Sequence, residues 1–202
     1  MAEEKKLEQE YLPEEITEKD VKKSWLTYYF FAETGISYER LQALGFCMSL
    51  IPIFKKLYKK KEDFTAALKR HMVFYNTEAV FGSVINGITI AMEEQKAKGA
   101  PIDDETITSV KSGLMGPMAG VGDSLDWATF KPIIFALGAT LSAQGSPIGC
   151  FVLLLLPIIQ MIIGTNFAAF GYRKGRSSVR SILEAGKIQE VLTAASAMGI
   201  YM

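Results

Sequence analysis

No charged side chain occurs in residues 132–172, which read PIIFALGATLSAQGSPIGCFVLLLLPIIQMIIGTNFAAFGY. A helix that crosses a bilayer needs roughly 20 apolar residues, so this stretch is long enough to cross twice. Residues 144–147, which read QGSP, interrupt the apolar run and would form the turn between the two crossings. A soluble domain needs charged groups on its exposed helix faces. The stretch therefore predicts an all-α integral membrane protein.

A glycine-rich run precedes this stretch, because residues 113–123 read GLMGPMAGVGD. Four glycines and one proline in ten residues disfavour a regular helix. Broken helices at membrane depth are tolerated where the backbone is buried in protein or lines a cavity. Many transporters build their substrate sites in this way. The run therefore predicts a broken or re-entrant helix over residues 106–127 and a membrane transport component.

The composition of the chain excludes several other classes of function. The 202 residues carry a formal net charge of zero, which gives no reason to expect a nucleic-acid partner. A single histidine and two cysteines provide no cluster with metal-ligand spacing, so we expect neither a metal nor a cofactor. Both cysteines, Cys47 and Cys150, lie in apolar runs, and we expect them to be buried free thiols.

Charged residues are concentrated near the start of the chain. Glutamate and lysine are dense in residues 1–40, which we expect to form a cytoplasmic or interfacial helical arm. Within this arm, residues 17–20 predict a helix start, and residues 41–202 would then be the membrane-embedded domain. Five lysines within residues 55–61 favour an interface with anionic lipid over a solvated helix end. Basic residues also follow the last apolar run, which places that end on the cytoplasmic side: Arg173, Lys174, Arg176 and Arg180.

The few charges beside the apolar stretch are the strongest candidates for function. On an α-helix, Asp123, Trp127 and Lys131 would share one stripe at i, i+4 and i+8, with Asp126 one turn from Asp123. Ionisable groups at membrane depth are costly, and they usually pair or face a cavity. Carboxylates can bind sugar hydroxyls and an aromatic face can cover a sugar ring, so the group predicts a sugar site. The alternative is a structural Asp–Lys pair that holds the broken segment together.

A second polar group, Asn76 and Glu78, lies in the nearly charge-free residues 74–92. It is a further candidate for sugar binding, and the alternative is a helix cap at a turn. His71 is the one histidine of the chain. We interpret it as structural rather than as a phosphorylated residue, because histidine reactivity needs a placed partner.

Several motifs resemble a single known family. The resemblance is to the IID subunit of the mannose, fructose and sorbose family of sugar phosphotransferase systems, and it covers nearly the whole chain from about Ser24 onward. The matching motifs are Lys23-Ser24-Trp25, His71-x-x-Phe74-Tyr75-Asn76-Thr77-Glu78, Gly87-Ile88-x-x-Ala91-Met92-Glu93-Glu94, Gly113-Leu114-Met115-Gly116-Pro117-Met118-Ala119-Gly120-Val121-Gly122-Asp123 and Trp127-x-x-x-Lys131-Pro132.

This resemblance implies a membrane subunit that pairs with a IIC subunit to bind and translocate a mannose-type hexose. A cytoplasmic IIB subunit, charged by IIA, would phosphorylate the sugar, so the chain itself would carry no phosphoryl group and no catalytic residue. IIC–IID pairs would form a higher oligomer that crosses the bacterial cytoplasmic membrane several times. The resemblance carries over Asn76, Glu78, Asp123 and Lys131 as residues facing the sugar. Because such subunits usually run longer, we expect this chain to be truncated after Met202.

Two other functions stay open from the sequence. The chain could be a purely structural membrane subunit that stabilises IIC without contacting sugar. It could also be a membrane-embedded enzyme that uses Asp123 and Asp126 as an acid and base pair. The lack of a nucleophile–base or metal-ligand pattern argues against the enzyme.

Overall fold

Residues 12–185 are described by the structure, a computed structural model, with side chains as far as residue 178. Within this range no extended strand forms, and two isolated bridges join Ser37 to Leu41 and Leu41 to Tyr75. The all-α prediction is confirmed. In chain order the elements are α1 (Glu18–Phe31), α2 (Ala43–Leu57), α3 (Lys61–His71), α4 (Ser83–Ala97), α5 (Asp104–Gly122), a π-helical segment (Asp123–Phe130, the π segment), α6 (Lys131–Ala143) and α7 (Ile148–Ala185).

Thr17 caps the start of helix α1, where the sequence predicted a helix start, and the cap is reciprocal. The Thr17 hydroxyl accepts from the Asp20 N–H, and the Asp20 carboxylate accepts from the Thr17 N–H at 3.0 Å. Val21, Trp25 and Tyr28 form the buried face of α1, which packs against α2 and α7. Residues 1–11 of the predicted arm lie outside the described residues, and the domain boundary at residue 40 stays a prediction.

Helices α4 and α7 pack with their backbones in direct contact. A Cβ atom added to Gly87 would lie 2.0 Å from the carbonyl oxygen of Ala168, and one added to Gly171 would lie 2.3 Å from that of Val84. Small residues permit this close approach between helices, as is common in membrane proteins. The glycines therefore allow α7 to pack directly against α4.

The glycine-rich run does not break its helix. α5 continues through Gly113, Pro117 and Gly120 to Gly122, and the π segment and α6 follow without an intervening loop. A glycine inside a helix costs only about 1 kcal/mol, which tertiary packing can offset. The sequence predicted a broken helix over residues 106–127. The structure instead has a continuous helix up to Gly122, and the irregularity is the π segment that begins at Asp123.

The predicted turn at residues 144–147 is confirmed. α6 ends at Ala143 and α7 begins at Ile148, and Gly145 between them has φ +78°, which glycine adopts without strain. Among the described residues, 148–178 form the one helix long and apolar enough to cross a membrane. A second crossing by α6 stays a prediction.

The two cysteines differ in exposure. Both are free thiols, as predicted, but Cys47 is buried whereas Cys150 is exposed on α7. The prediction that Cys150 is buried is therefore wrong. On a membrane-spanning helix an apolar run faces lipid or a partner as well as the protein core, so an apolar sequence does not imply burial.

Two adjacent glutamates near the end of α4 are completely buried and bond in different directions. The Oε1 atom of Glu93 accepts from Arg70 Nε at 2.7 Å and lies 2.8 Å from His71 Nε2, which ties α4 to α3. Glu94 accepts from the Tyr172 hydroxyl at 2.7 Å, which ties α4 to α7. Burial alone would raise the pKa of Glu93, but the hydrogen bonds and charges of His71 and Arg70 lower it overall.

Lys111 on α5 is a buried amine without a hydrogen-bond partner among the described residues. Its side chain is 1% exposed, and Nζ lies 5.3 Å from the ring centroid of Phe46 and 5.6 Å from that of Tyr75. Cation–π contact compensates only part of the lost hydration. Burial consequently lowers the pKa of Lys111 to about 8.

We expect Lys111→Met to stabilise the chain at pH 7 by up to about 3 kcal/mol. Because the folded-state pKa lies near 8 and the ordinary value is 10.5, the unfolded chain binds more protons between these pH values. The free energy of unfolding of the wild type should therefore rise with pH across this window, and the variant's advantage should disappear. Thermal unfolding in detergent at pH 7 and pH 10.5 measures this. The exposed Lys19→Met is the control, and a pH-independent advantage of Lys111→Met would contradict the expectation.

Candidate functional site

A cavity of about 410 Å³ lies between α1, the loop before α4, the π segment and α7. This volume is typical of small-molecule sites, which measure roughly 300–1,000 Å³. The two polar groups chosen from the sequence meet here, although more than 40 residues separate them along the chain. All of the predicted site residues line the cavity: Asn76, Glu78, Asp123, Asp126, Trp127 and Lys131.

Asp126 is the centre of a buried network in the wall of the cavity. The Lys131 ammonium forms an ion pair with the carboxylate at 2.7 Å. The Gln160 amide nitrogen donates to both carboxylate oxygens, at 2.7 Å to one and 2.9 Å to the other. The amide oxygen of Gln160 accepts from the Tyr29 hydroxyl at 3.1 Å. Burial raises the pKa of Tyr29, and the charges of Asp126 and Glu78 raise it further, so the hydroxyl keeps the proton that it donates.

The π segment sets which residues pair. Asp126 and Lys131 are five residues apart, and the Thr129 hydroxyl donates at 2.8 Å to the carbonyl five residues before it. This spacing follows the i→i+5 pattern of a π-helix. The prediction that Asp123, Trp127 and Lys131 share one α-helical stripe is therefore corrected. An Asp–Lys pair exists, as the structural alternative proposed, but its acid is Asp126.

Trp127 presents its ring beside the Lys131 ammonium. The Lys131 Nζ atom lies 3.4 Å from the Trp127 ring centroid, well within cation–π distance. The tryptophan is 60% exposed, so much of its ring is free for another contact. Lys131 thus holds Asp126 and Trp127 in a fixed relation to each other.

Glu78 fits the cap interpretation and also lines the cavity. Its carboxylate accepts from the Val80 N–H at 2.9 Å and from the Phe81 N–H at 2.7 Å, which fixes the turn before α4. Gly122 leaves the room for this side chain, since a Cβ atom there would lie 2.5 Å from Glu78 Oε2. The glycine run and the Glu78 turn are therefore packed together.

Asn76 and Asp123 differ from the other predicted residues because both are exposed at the cavity. Within the part of the chain that the structure describes, neither side chain forms a hydrogen bond or an ion pair. Their carboxylate and amide groups are therefore available to a bound molecule. One carboxylate and one amide can together accept from and donate to neighbouring hydroxyl groups.

Sequence reasoning missed several lining residues, of which Gln160 is the most important. It is the single amide among residues 148–163, which are otherwise apolar apart from Cys150. A polar side chain in such a helix usually bonds to another helix, so this signal was present. Glu33 and Gln42, joined by a 3.0 Å hydrogen bond, also line the cavity, and no comparable pattern marks them.

A second, apolar cavity of about 320 Å³ lies next to the first, between α6 and α7. Asp126, Gln160 and Val80 line both cavities. The hydrogen-bonded Asp126–Gln160 pair is therefore part of the wall between a polar and an apolar space.

The chain matches a known family over nearly its whole length. The family model for the "PTS system mannose/fructose/sorbose family IID component" matches residues 15–202. The chain belongs to this IID family. IID components are subunits of a membrane permease and not phosphorylating enzymes, so the expectation of a non-enzymatic transport subunit is confirmed at the family level.

Curated relatives of this IID chain come from several bacteria. The sorbose-specific IID component of Lacticaseibacillus casei is 40% identical over 95% of this chain and 67% of the relative. The mannose-specific IID component of Escherichia coli K12 is 37% identical over 93% of this chain and 66% of the relative. The chain thus spans about two thirds of the length of these relatives.

Solved structures confirm the integral-membrane fold of the IID chain. A chain in the cryo-EM structure of the mannose transporter ManYZ with microcin E492 aligns with a TM-score of 0.86 at 37% identity, covering 93% of this chain and 69% of that one. A second structure, described as a membrane protein, aligns with a TM-score of 0.74 at 36% identity over 93% of this chain and 69% of that one.

Proposed function

We propose that this IID chain binds a mannose-type hexose in the polar cavity and translocates it together with a IIC subunit. The complex would lie in the bacterial cytoplasmic membrane and present the sugar to IIB, which IIA charges. The observation that carries the proposal is the position of Asn76 and Asp123. Both have side-chain groups without a hydrogen-bond partner among residues 12–178, and both lie in one cavity beside the exposed ring of Trp127.

The chemistry of the cavity suits a neutral sugar. The Asp123 carboxylate accepts from sugar hydroxyls, the Asn76 amide donates and accepts, and the Trp127 face covers the ring's C–H groups. Among the described residues, the lining carries four carboxylates and one ammonium: Glu33, Glu78, Asp123, Asp126 and Lys131. The Lys131 ammonium already pairs with Asp126. The phosphate group of a phosphorylated sugar would be repelled by these carboxylates, which favours release of the phosphorylated sugar from the cavity.

The relatives support this substrate class and a IIC partner. Their names specify mannose and sorbose, and a Bacillus subtilis relative, 37% identical over 83% of this chain, is named a fructose permease component. The apolar face of α7, which exposes Phe151, Leu154 and Ile162, suits lipid or a partner's helices. IIA, IIB and an oligomer of IIC–IID pairs enter the proposal through the family alone.

A structural subunit is the second candidate. One observation favours it, because Asp126 is already satisfied by Lys131 and Gln160 and needs no sugar. In that case Asp126 and Lys131 would only hold the π segment against α7. The two candidates differ in what they require of Asn76 and Asp123, which have no such structural contacts.

The test is sugar binding by this chain, co-expressed and purified with a IIC subunit. We expect Asp123→Asn to weaken hexose binding about ten- to a hundredfold, since a hydrogen bond to a charged group contributes about 1.5–3 kcal/mol. Asn76→Ala should weaken it about two- to tenfold, since a neutral hydrogen bond contributes about 0.5–1.5 kcal/mol. Isothermal titration with mannose, fructose and sorbose measures this, and size-exclusion chromatography checks the complex. The exposed neighbour Ser124→Ala is the control. Unchanged affinity in both site variants, with an intact complex, would favour the structural subunit.

A further inference from the structure

Gln160 joins the membrane-spanning helix to the polar cavity through a continuous chain of contacts. The chain runs from Tyr29 on α1 through Gln160 on α7 to Asp126 in the π segment. It continues through the Lys131 ammonium to the ring of Trp127. Gln160 is 8% exposed, and both its amide oxygen and its amide nitrogen have a hydrogen-bond partner in this series of contacts. Elements far apart in sequence therefore meet at one amide.

We infer that Gln160 is a positioning residue for the sugar site, an inference that rests on the proposed function. It does not need to touch the sugar. Its amide nitrogen contacts both oxygens of Asp126 and so fixes the rotation of that carboxylate. The fixed carboxylate holds the Lys131 ammonium, and the ammonium holds the Trp127 ring against which the sugar would stack.

An amide is the side chain that meets both requirements at this position. Toward Asp126 the residue must donate, and toward the Tyr29 hydroxyl it must accept. Glutamine does both at once. An ionised glutamate only accepts, and methionine fills the space without strong hydrogen bonds. Connected polar groups of this kind order one another, so removal of one member releases the others.

The charged and titratable groups around this amide come from each packed element. They are Asp126 in the π segment, Lys131 at the start of α6, Tyr29 on α1 and Glu78 in the loop before α4. A carboxylate at position 160 would lie against the Asp126 carboxylate. Two carboxylates in contact disfavour double ionisation, so hexose binding by such a variant should depend on pH more steeply than binding by the wild type.

The experiment compares Gln160→Met and Gln160→Glu with the wild type, each in the purified complex with IIC. Hexose affinity is measured at pH 7.5 and pH 5.5. Acrylamide quenching of Trp127 fluorescence is measured without sugar, using a matching Trp127→Phe protein for each variant to subtract all other tryptophans. This second readout reports the order of the Trp127 ring even if no sugar binds.

We expect Gln160→Met to form a stable complex, to bind hexose at least tenfold more weakly and to show stronger quenching of Trp127. Gln160→Glu should be at least tenfold weaker at pH 7.5 and should recover at pH 5.5 to within about threefold of the wild type at that pH. Protonation of one carboxyl group restores the hydrogen bond between the pair, and packing alone predicts no such recovery.

Three results would overturn the inference. Wild-type affinity and quenching in Gln160→Met would show that the residue only fills space. A pH-independent defect in Gln160→Glu would show that its hydrogen bond to Asp126 does not matter for binding. If the wild-type complex binds no hexose, the proposed function fails and the sugar role of Gln160 fails with it. Quenching in Gln160→Met would then show separately whether the residue orders Trp127.

Discussion

Replacing Gly87 with alanine should prevent α4 and α7 from packing and should remove most of the folded protein from the membrane. The added Cβ atom would lie 2.0 Å from the Ala168 carbonyl oxygen and 2.5 Å from the Tyr172 nitrogen. Both neighbours are backbone atoms, so the two helices themselves must separate. Overpacking of this kind costs about 3 kcal/mol or more, a large share of the marginal stability of a domain.

Gly116→Ala provides the matched control for this change. Gly116 lies inside α5, and a Cβ atom there would meet no atom of another described residue within 4 Å. Alanine has the higher helix propensity, so this variant should be as stable as the wild type or slightly more stable. Abundance in purified membranes and thermal unfolding in detergent compare the two. Equal stability of Gly87→Ala and Gly116→Ala would show that α4 and α7 can separate at little cost.

Arg70→Met should destabilise the chain by about 3–5 kcal/mol, because it leaves the completely buried Glu93 without its cation. Arg70 contacts both carboxylate oxygens of Glu93 and also Asp104 at the start of α5. The loss should therefore loosen the helix that leads into the π segment. Thermal unfolding of the purified chain measures the effect, and sugar affinity shows whether the loosening reaches the cavity.

The stability of this variant should depend less on pH than that of the wild type. In the wild type the pKa of Glu93 is lowered, so its contribution to stability is lost as the pH falls. Without Arg70, burial still raises the pKa of Glu93 while the His71 hydrogen bond opposes it, so the variant should lose less stability than the wild type as the pH falls toward 5. The exposed pair of Arg40 and Glu39 supplies the control, since Arg40→Met should cost at most about 1 kcal/mol. A parallel pH response of Arg70→Met and the wild type would refute this account.

The predicted burial of Cys150 and the predicted break in α5 show where sequence patterns mislead in this protein. An apolar run predicts a membrane-crossing helix but does not say which side of it faces protein, so Cys150 is exposed. Glycine and proline lower helix propensity, but α5 remains continuous, and Gly122 at its end leaves the room in which Glu78 packs. Local propensity of about 1 kcal/mol per residue is readily outweighed by such contacts.

The sequence by itself determined the all-α membrane class, the turn at residues 144–147, the family and six of the residues that line the cavity. These features depend on hydropathy, turn residues and motifs, which are local properties of a chain. Only the tertiary structure decided that Lys131 pairs with Asp126 rather than Asp123, and that Gln160 completes the network. Those contacts depend on the i→i+5 geometry of the π segment and on how closely α7 approaches it. Packing between distant helices sets both, and no local pattern encodes it.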